Sequence, residues 1–330
     1  MKLKNVAAVY VSLLPLLCNV CFAQKPKLML PIGHTSVINS IALSYDSKTL
    51  LSASSDKTVK LWDCRTGIIL LDLLEHSKVV NSAQFSHDGL SIVTASDDKT
   101  VKIFNIASGN KTVEINSHKD EVNGAIFSKD DTKILSFSHD YTAIISDART
   151  GNLIFEMKGH KADINSAVFD SSENFVLTAS RDKTAIIWDA HTGKMLFHLT
   201  GHTSDIISAV FDNEGKKVLT SSYDGTAKVW ETASGKLLFT LTAHTDKLTG
   251  GKFSKDGKKI ITTSYDRSAK IWNAENGKLL IDLKDNAHWV ESAEFSTDGK
   301  IRPYANSQQL APGKFKYLGC RKWNIKTQVE

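Results

Sequence analysis

Apolar and polar residues alternate in short runs along most of the chain, and turn residues separate the runs. The clearest runs lie at Asn165–Phe169, Phe175–Ser180, Thr184–Trp188 and Met195–Leu199. Alternation with a period of two places successive side chains on opposite faces of a strand, so each run predicts a β-strand. Beyond the N-terminal segment no run has the spacing of an amphipathic helix, which predicts an all-β fold.

The runs belong to a unit that recurs every 42 residues, and a histidine marks each copy. The histidines are His34, His76, His118, His160, His202 and His244. Aspartates keep the same period at Asp56, Asp98, Asp140, Asp182, Asp224 and Asp266, and one further position holds Trp62, Phe104, Ser146, Trp188, Trp230 and Trp272. This period predicts repeats near 34–75, 76–117, 118–159, 160–201, 202–243 and 244–287.

The best-preserved copy carries Gly159-His160, then Ser180-Arg181-Asp182-Lys183-Thr184, then Trp188-Asp189. Together with the period, this order resembles the WD-repeat family of β-propellers. The resemblance implies four-stranded antiparallel blades, each braced by a hydrogen-bonded chain of His, Ser or Thr, Asp and Trp. The expected members of these chains are His34, Asp56, Trp62, His160, Asp182, Trp188, His202, Asp224, Trp230, His244, Asp266 and Trp272. In the best-preserved copy, Thr178 or Ser180 would supply the hydroxyl.

The two ends of the chain depart from the repeat. After Gly277 the pattern becomes irregular and resumes as a late strand that ends in Trp323-Asn324. Lys27–Ile32 is interpreted as an outer strand without a unit of its own. The resemblance implies that it completes an irregular last blade, 288–330, and so closes a seven-bladed propeller that forms a single domain over residues 24–330.

Residues 1–23 have the order of a secretory signal peptide, with two lysines, an apolar core over Val6–Leu17 and a small residue at Ala23. The core is short and interrupted by Pro15, which argues against a membrane-spanning helix. We therefore expect a secreted or periplasmic protein without a membrane span after the signal is removed. The alternative is a cytosolic scaffold that keeps this segment.

The distribution of charge and the number of cysteines exclude some classes of partner and of fold. The net charge of +5 is spread among interspersed acidic residues and forms no basic stripe, so we expect no nucleic acid partner. Cys64 and Cys320 are the two cysteines outside the signal segment, too few for a disulfide framework. We expect two free thiols; the alternative is a single bridge between the first and last repeats.

The recurring histidines and aspartates invite a catalytic or metal-binding interpretation. A set that recurs in every unit suits bracing, because catalysis requires one asymmetric site and zinc requires ligands that converge on one point. The sequence also lacks the serine elbow and the phosphate-binding glycine loop of common enzymes. We expect no enzyme activity, no metal and no cofactor.

Positions that vary between units are free to recognise a partner. By resemblance they lie around the mouth of the central channel. The candidate binding residues are Arg181, Tyr223, Tyr265, Trp289, His139, Asp97, Asp205 and Lys247. Arg, Tyr and Trp are enriched at binding hot spots. We expect a monomeric, non-catalytic scaffold that binds a protein or peptide; the alternative is an exported propeller enzyme or carbohydrate-binding module with its site at the channel mouth.

Overall fold

The computed structural model describes residues 33–284, 286–295 and 301–305. The predicted signal peptide, the outer strand at 27–32, Cys320 and the late strand before Trp323 lie outside the described residues. Contacts divide the chain into residues 1–32 and residues 33–330, and the fold described below belongs to the second unit. No helix in the described ranges is long and apolar enough to cross a membrane.

The described residues form strands and turns, as the alternating pattern predicts. The first three sheets contain β1 (Ile38–Leu43), β2 (Thr49–Ser54), β3 (Val59–Asp63), β4 (Ile69–Leu73), β5 (Val80–Phe85), β6 (Ser91–Ser96), β7 (Val101–Asn105), β8 (Lys111–Ile115), β9 (Val122–Phe127), β10 (Lys133–Ser138), β11 (Thr142–Asp147) and β12 (Leu153–Lys158). The next three contain β13 (Ile164–Phe169), β14 (Phe175–Ser180), β15 (Ala185–Asp189), β16 (Met195–Leu199), β17 (Ile206–Phe211), β18 (Lys217–Ser222), β19 (Ala227–Glu231), β20 (Leu237–Leu241), β21 (Leu248–Phe253), β22 (Lys259–Ser264), β23 (Ala269–Asn273) and β24 (Leu279–Leu283). β25 (Val290–Phe295) pairs with β26 (Ile301–Ala305).

Each of the six complete sheets is an antiparallel meander of four consecutive strands. Connections in a meander alternate between its two ends. The turns after each second strand therefore share one end of the sheet with the segments that precede each first strand, and we call this end the rim. The remaining turns lie at the opposite end, where Gly89 and Gly193 adopt the positive φ angles that their tight turns require.

The hydrophobic core lies between neighbouring sheets. Trp188 on β15 is 2% exposed and packs among residues of the preceding sheet such as Leu135, Ile145 and Met157. Ala167 on the first strand of the same sheet joins this cluster. Small residues at that position allow first strands of adjacent sheets to approach closely, and each first strand contacts the next along the chain.

Asparagine side chains link the first strands of neighbouring sheets. Asn39, Asn81, Asn123 and Asn165 each donate a hydrogen bond to a backbone carbonyl of the next sheet, at 2.8–3.0 Å. The acceptors are Val80, Val122, Ile164 and Ile206. These bonds fix the spacing between sheets at the rim.

The first sheet is less covered than the others on one face. Ile41 and Leu43 are 60% and 51% exposed, whereas their equivalents in the second sheet, Ala83 and Phe85, are 1% and 8% exposed. Ala83 and Phe85 are covered by residues of the first sheet such as Leu51 and Leu61. None of the described sheets covers the corresponding face of the first sheet, so its apolar side chains are exposed.

Candidate binding rim

The four residues expected to brace the best-preserved unit are in hydrogen-bond contact. His160 Nδ1 lies 2.8 Å from Asp182 Oδ2, and His160 Nε2 lies 2.8 Å from the hydroxyl of Thr178. The indole nitrogen of Trp188 donates to the same hydroxyl at 2.8 Å. Thr178 therefore supplies the hydroxyl, while Ser180 accepts a bond from the Asp182 amide instead. With Nδ1 donating to Asp182 and Nε2 accepting from the Thr178 hydroxyl, the polar side-chain atoms of these four residues all have partners.

The histidine–aspartate pair recurs in all six units at 2.7–2.9 Å. The other pairs are His34–Asp56, His76–Asp98, His118–Asp140, His202–Asp224 and His244–Asp266. Two units lack the indole: Phe104 fills its place in the second, and Ser146 in the third leaves a buried hydroxyl without a hydrogen bond in the described structure.

The electrostatics of these pairs favour an ionised aspartate. Burial alone would raise the pKa of Asp182, but hydrogen bonds from His160, Thr184 and the Lys161 amide hold it well below its usual range. In the first unit the corresponding balance lowers the pKa of Asp56 to about 2. Such side chains stabilise the sheet and are almost closed to solvent, which suits bracing better than catalysis.

The candidate binding residues occupy two regular places at the rim. One is the residue directly after each second strand, which holds Asp97, His139, Arg181, Tyr223 and Tyr265. The other is the residue directly before each first strand, which holds Asp205, Lys247 and Trp289; Asp163, not itself a candidate, has the same place in the fourth sheet. Within a sheet a backbone hydrogen bond joins the two places, for example from the Tyr223 amide to the Asp205 carbonyl at 2.9 Å. The side chains at these two places also contact each other across neighbouring sheets.

Charged side chains form one half of this row. His139 lies 3.2 Å from Glu121 in its own sheet and 3.8 Å from Asp163 in the next. Arg181 pairs with Asp163 at 2.7 Å and reaches Asp205 of the following sheet at 3.8 Å. We call this row of five side chains the charged arc.

Aromatic side chains form the other half. The Lys247 ammonium lies 5.1 Å from the centroid of the Tyr223 ring, and Tyr265 meets Trp289 edge to face at 5.4 Å between centroids. Tyr265 and Trp289 are 36% and 42% exposed. We call Tyr223, Lys247, Tyr265 and Trp289 the aromatic arc.

Seven of the eight candidate residues thus lie in one continuous row across the third to the last sheet. Asp97 does not join that row; it accepts a hydrogen bond from Asn81 of its own sheet at 2.6 Å.

The comparison with family models bears on the repeat itself. The model described as "WD domain, G-beta repeat" matches residues 25–63, 68–105, 151–189, 193–231 and 235–273, more than half of the chain. The chain belongs to the WD-repeat family. Membership agrees with the six four-stranded antiparallel sheets and with the brace in each WD repeat, and the family generally mediates protein–protein interactions.

Three further residues at the rim of these WD repeats stand at a position that varies between repeats, although they are not among the eight candidates. Ile207, Thr249 and Glu291 lie one residue inside their first strands and line a cavity with Tyr223 and Tyr265. Their signal in the sequence is the Asn at the same place in the first four repeats, which gives way to Ile207, Thr249 and Glu291 in the fifth, sixth and last repeats.

Proposed function

We propose that this WD-repeat protein is a non-catalytic scaffold that binds a protein or peptide through its rim, outside the cytoplasm. The observation that carries the proposal is the continuous row of non-repeating side chains formed by the charged and aromatic arcs. Side chains with no role in bracing the sheets converge there, and an exposed Trp and Tyr offer the apolar contact area that dominates binding energy. The resemblance of residues 1–23 to a secretory signal peptide supports a location outside the cytoplasm. N-terminal sequencing of the purified protein would test it.

Replacing Tyr223 and Tyr265 together by alanine is expected to weaken binding at least about tenfold, because hot-spot aromatics each contribute about 1–2 kcal/mol or more. Peptides would first be selected against the wild-type protein from a random library. Their dissociation constants for wild type and variant would then be measured by fluorescence anisotropy.

The matched control replaces Tyr45 and Leu90, which are 70% and 62% exposed at the opposite end of the sheets. The Tyr45→Ala, Leu90→Ala variant should bind as wild type does. If both double variants retain wild-type affinity, or if no peptide can be selected, binding at the rim is ruled out.

We further propose that the chain closes into seven blades, with Lys27–Ile32 as the outer strand of the last one. The support lies in the first sheet, where Ile41 and Leu43 remain exposed although the second to sixth sheets have their equivalent faces packed against the preceding sheet. A last blade completed by residues 288–330 and 27–32 would cover that face. Closure also removes the unpaired sheet edges that favour aggregation.

Removal of residues 24–33 is expected to lower the melting temperature by about 5–10 °C, because the last blade would lose its outer strand and the first blade its cover. Thermal unfolding followed by circular dichroism would measure it. A shorter deletion, residues 24–26, serves as the control and should melt like the full mature chain. An equal melting temperature for both deletions would contradict the closure.

A further inference from the structure

The chain contains two asparagines that are followed directly by glycine, Asn123 and Asn276. This dipeptide is prone to deamidation, because glycine has no side chain and its backbone nitrogen can approach the carboxamide of the preceding asparagine. Asn276 is exposed in the turn between β23 and β24, whereas Asn123 lies within β9 at the junction with the next sheet. The fold thus places two chemically equal dipeptides in different surroundings.

The turn at Asn276 holds the carboxamide in position to react. Its Oδ1 accepts a hydrogen bond from the Lys278 amide at 3.0 Å. This Asx turn brings the side-chain carbonyl carbon close to the backbone nitrogen of Gly277, and the same hydrogen bond stabilises the negative charge that develops on Oδ1 during attack. The Gly277 amide donates to the Asn273 carbonyl at 2.9 Å, so this bond must open before the amide loses its proton.

The strand β9 keeps Asn123 from the same reaction. Its side-chain amide donates to the Ile164 carbonyl at 2.8 Å, which ties the carboxamide to the next sheet. Gly124 is paired with Phe137 of β10 within the sheet. Attack by the Gly124 nitrogen would require both the sheet pairing and the bond between sheets to open, which costs more free energy than opening an exposed turn.

Among the six complete sheets, only the sixth has an asparagine at this place in the turn. The residue before the turn glycine in the first five is Thr66, Ser108, Thr150, Thr192 and Ser234. In the second sheet the Ser108 hydroxyl donates to Asn105 Oδ1 at 3.1 Å, and Asn273 has the place of Asn105 in the sixth. A hydroxyl therefore serves the same turn but cannot form a cyclic imide.

We propose that Asn276 is a site of spontaneous deamidation that accumulates with the age of the protein. The Gly277 backbone nitrogen loses its proton and attacks Cγ of Asn276. The bond from Cγ to Nδ2 breaks, and Nδ2 leaves with that proton as ammonia, which forms a cyclic imide. Water then opens the imide at either carbonyl and gives aspartate or isoaspartate, with no oxidation or reduction.

Isoaspartate at this position would disturb the contact between the fifth and sixth sheets. The main chain would run through the former side chain and gain one carbon directly before Gly277, together with a negative charge. Gly277 has a φ of 72° and packs so closely that a Cβ built on it would lie 2.6 Å from the Phe239 ring of the fifth sheet. We expect the modified protein to melt about 2–4 °C lower, because this contact cannot be kept.

Incubation of the mature protein at slightly alkaline pH tests the proposal. Samples taken over time would be digested and analysed by mass spectrometry with electron-transfer fragmentation, which distinguishes isoaspartate from aspartate at each position. In the folded protein we expect isoaspartate to accumulate at position 276 and Asn123 to remain unmodified. In denaturant both positions should be modified at similar rates, because the folded structure is what separates them.

The matched control is Asn276→Ser, which reproduces the turn of the second sheet. This variant should form no isoaspartate in the turn and should keep its melting temperature during the incubation, while wild type loses about 2–4 °C.

Modification of Asn276 in the unfolded chain but not in the folded protein would overturn the proposal, since the turn would then protect the carboxamide. Equal modification of Asn123 and Asn276 in the folded protein would overturn the role given to the turn. An unchanged melting temperature after complete modification would refute the loss of the Phe239 contact.

Discussion

Lowering the pH from 7 to 3 is expected to remove several kcal/mol from the free energy of unfolding, because six buried aspartates have folded-state pKa values below their usual one. For Asp56 the pKa falls from 3.8 to about 2, which corresponds to on the order of 1–2 kcal/mol. The pKa values of the other five brace aspartates, Asp98, Asp140, Asp182, Asp224 and Asp266, are also lowered.

The direction in which the free energy of unfolding changes with pH follows from proton binding. A carboxylate with a lowered pKa binds fewer protons in the folded than in the unfolded chain, so its contribution is present above pH 4 and is lost as the pH falls toward 2. Burial, opposed in part by the partner aspartate, also lowers the pKa of His202 and His244 below 6.5. Their contribution has the same sign and begins to decline below about pH 6.5.

Denaturant unfolding at a series of pH values would measure this dependence. The Asp56→Asn variant should be less stable than wild type at pH 7 and show a shallower decline between pH 4 and 2, since one of the six titrating carboxylates is gone. A free energy of unfolding that is constant between pH 6 and 3 would refute the assignment of ionised aspartates to the brace.

Replacing Trp188 by alanine is expected to lower the free energy of unfolding by about 3–5 kcal/mol. The side chain is 2% exposed, packs against the preceding sheet and donates its indole hydrogen bond to Thr178. Its loss creates a cavity between two sheets and removes one of the bonds that satisfy the buried brace.

Two other variants separate packing from hydrogen bonding. Trp188→Phe should cost less, about 1–2 kcal/mol, because Phe104 fills the same place in the second sheet at 1% exposure without an indole donor. Trp289→Ala, at a 42% exposed position of the aromatic arc, should cost less than about 1 kcal/mol. Equal losses for Trp188→Ala and Trp289→Ala in denaturant unfolding would contradict the division between brace and rim.

Much of the fold could be predicted because each unit repeats the same local rules. The alternating run at Phe175–Ser180 coincides with β14, and the run ending at Trp188 lies within one residue of β15. Period-two alternation and turn glycines are local signals, so six copies reinforce one another. The choice between Thr178 and Ser180 stayed open in the sequence because strand direction alone does not fix which hydroxyl faces His160.

Contacts between sheets were harder to predict. The bond from Asn165 to the Ile206 carbonyl joins residues 41 positions apart and depends on how two sheets approach. The buried Lys270 looks like a solvent-facing strand residue in the sequence, yet its ammonium pairs with Asp282 on the outer strand at 2.6 Å. The sequence shows that the Asn of the first four repeats is replaced by Ile207 in the fifth. That Ile207 lines a cavity with Tyr223 and Tyr265 depends on how two sheets approach, which the sequence does not show.

We propose that repeated residues brace the sheets while the non-repeating rim binds the partner. Hydrogen exchange measured by mass spectrometry, with and without a selected peptide, tests it most directly. We expect slower exchange in the bound state at the rim segments 205–207, 222–225, 247–250 and 264–267. Slower exchange confined to the opposite end, at the turns 212–216 and 254–258, would contradict it.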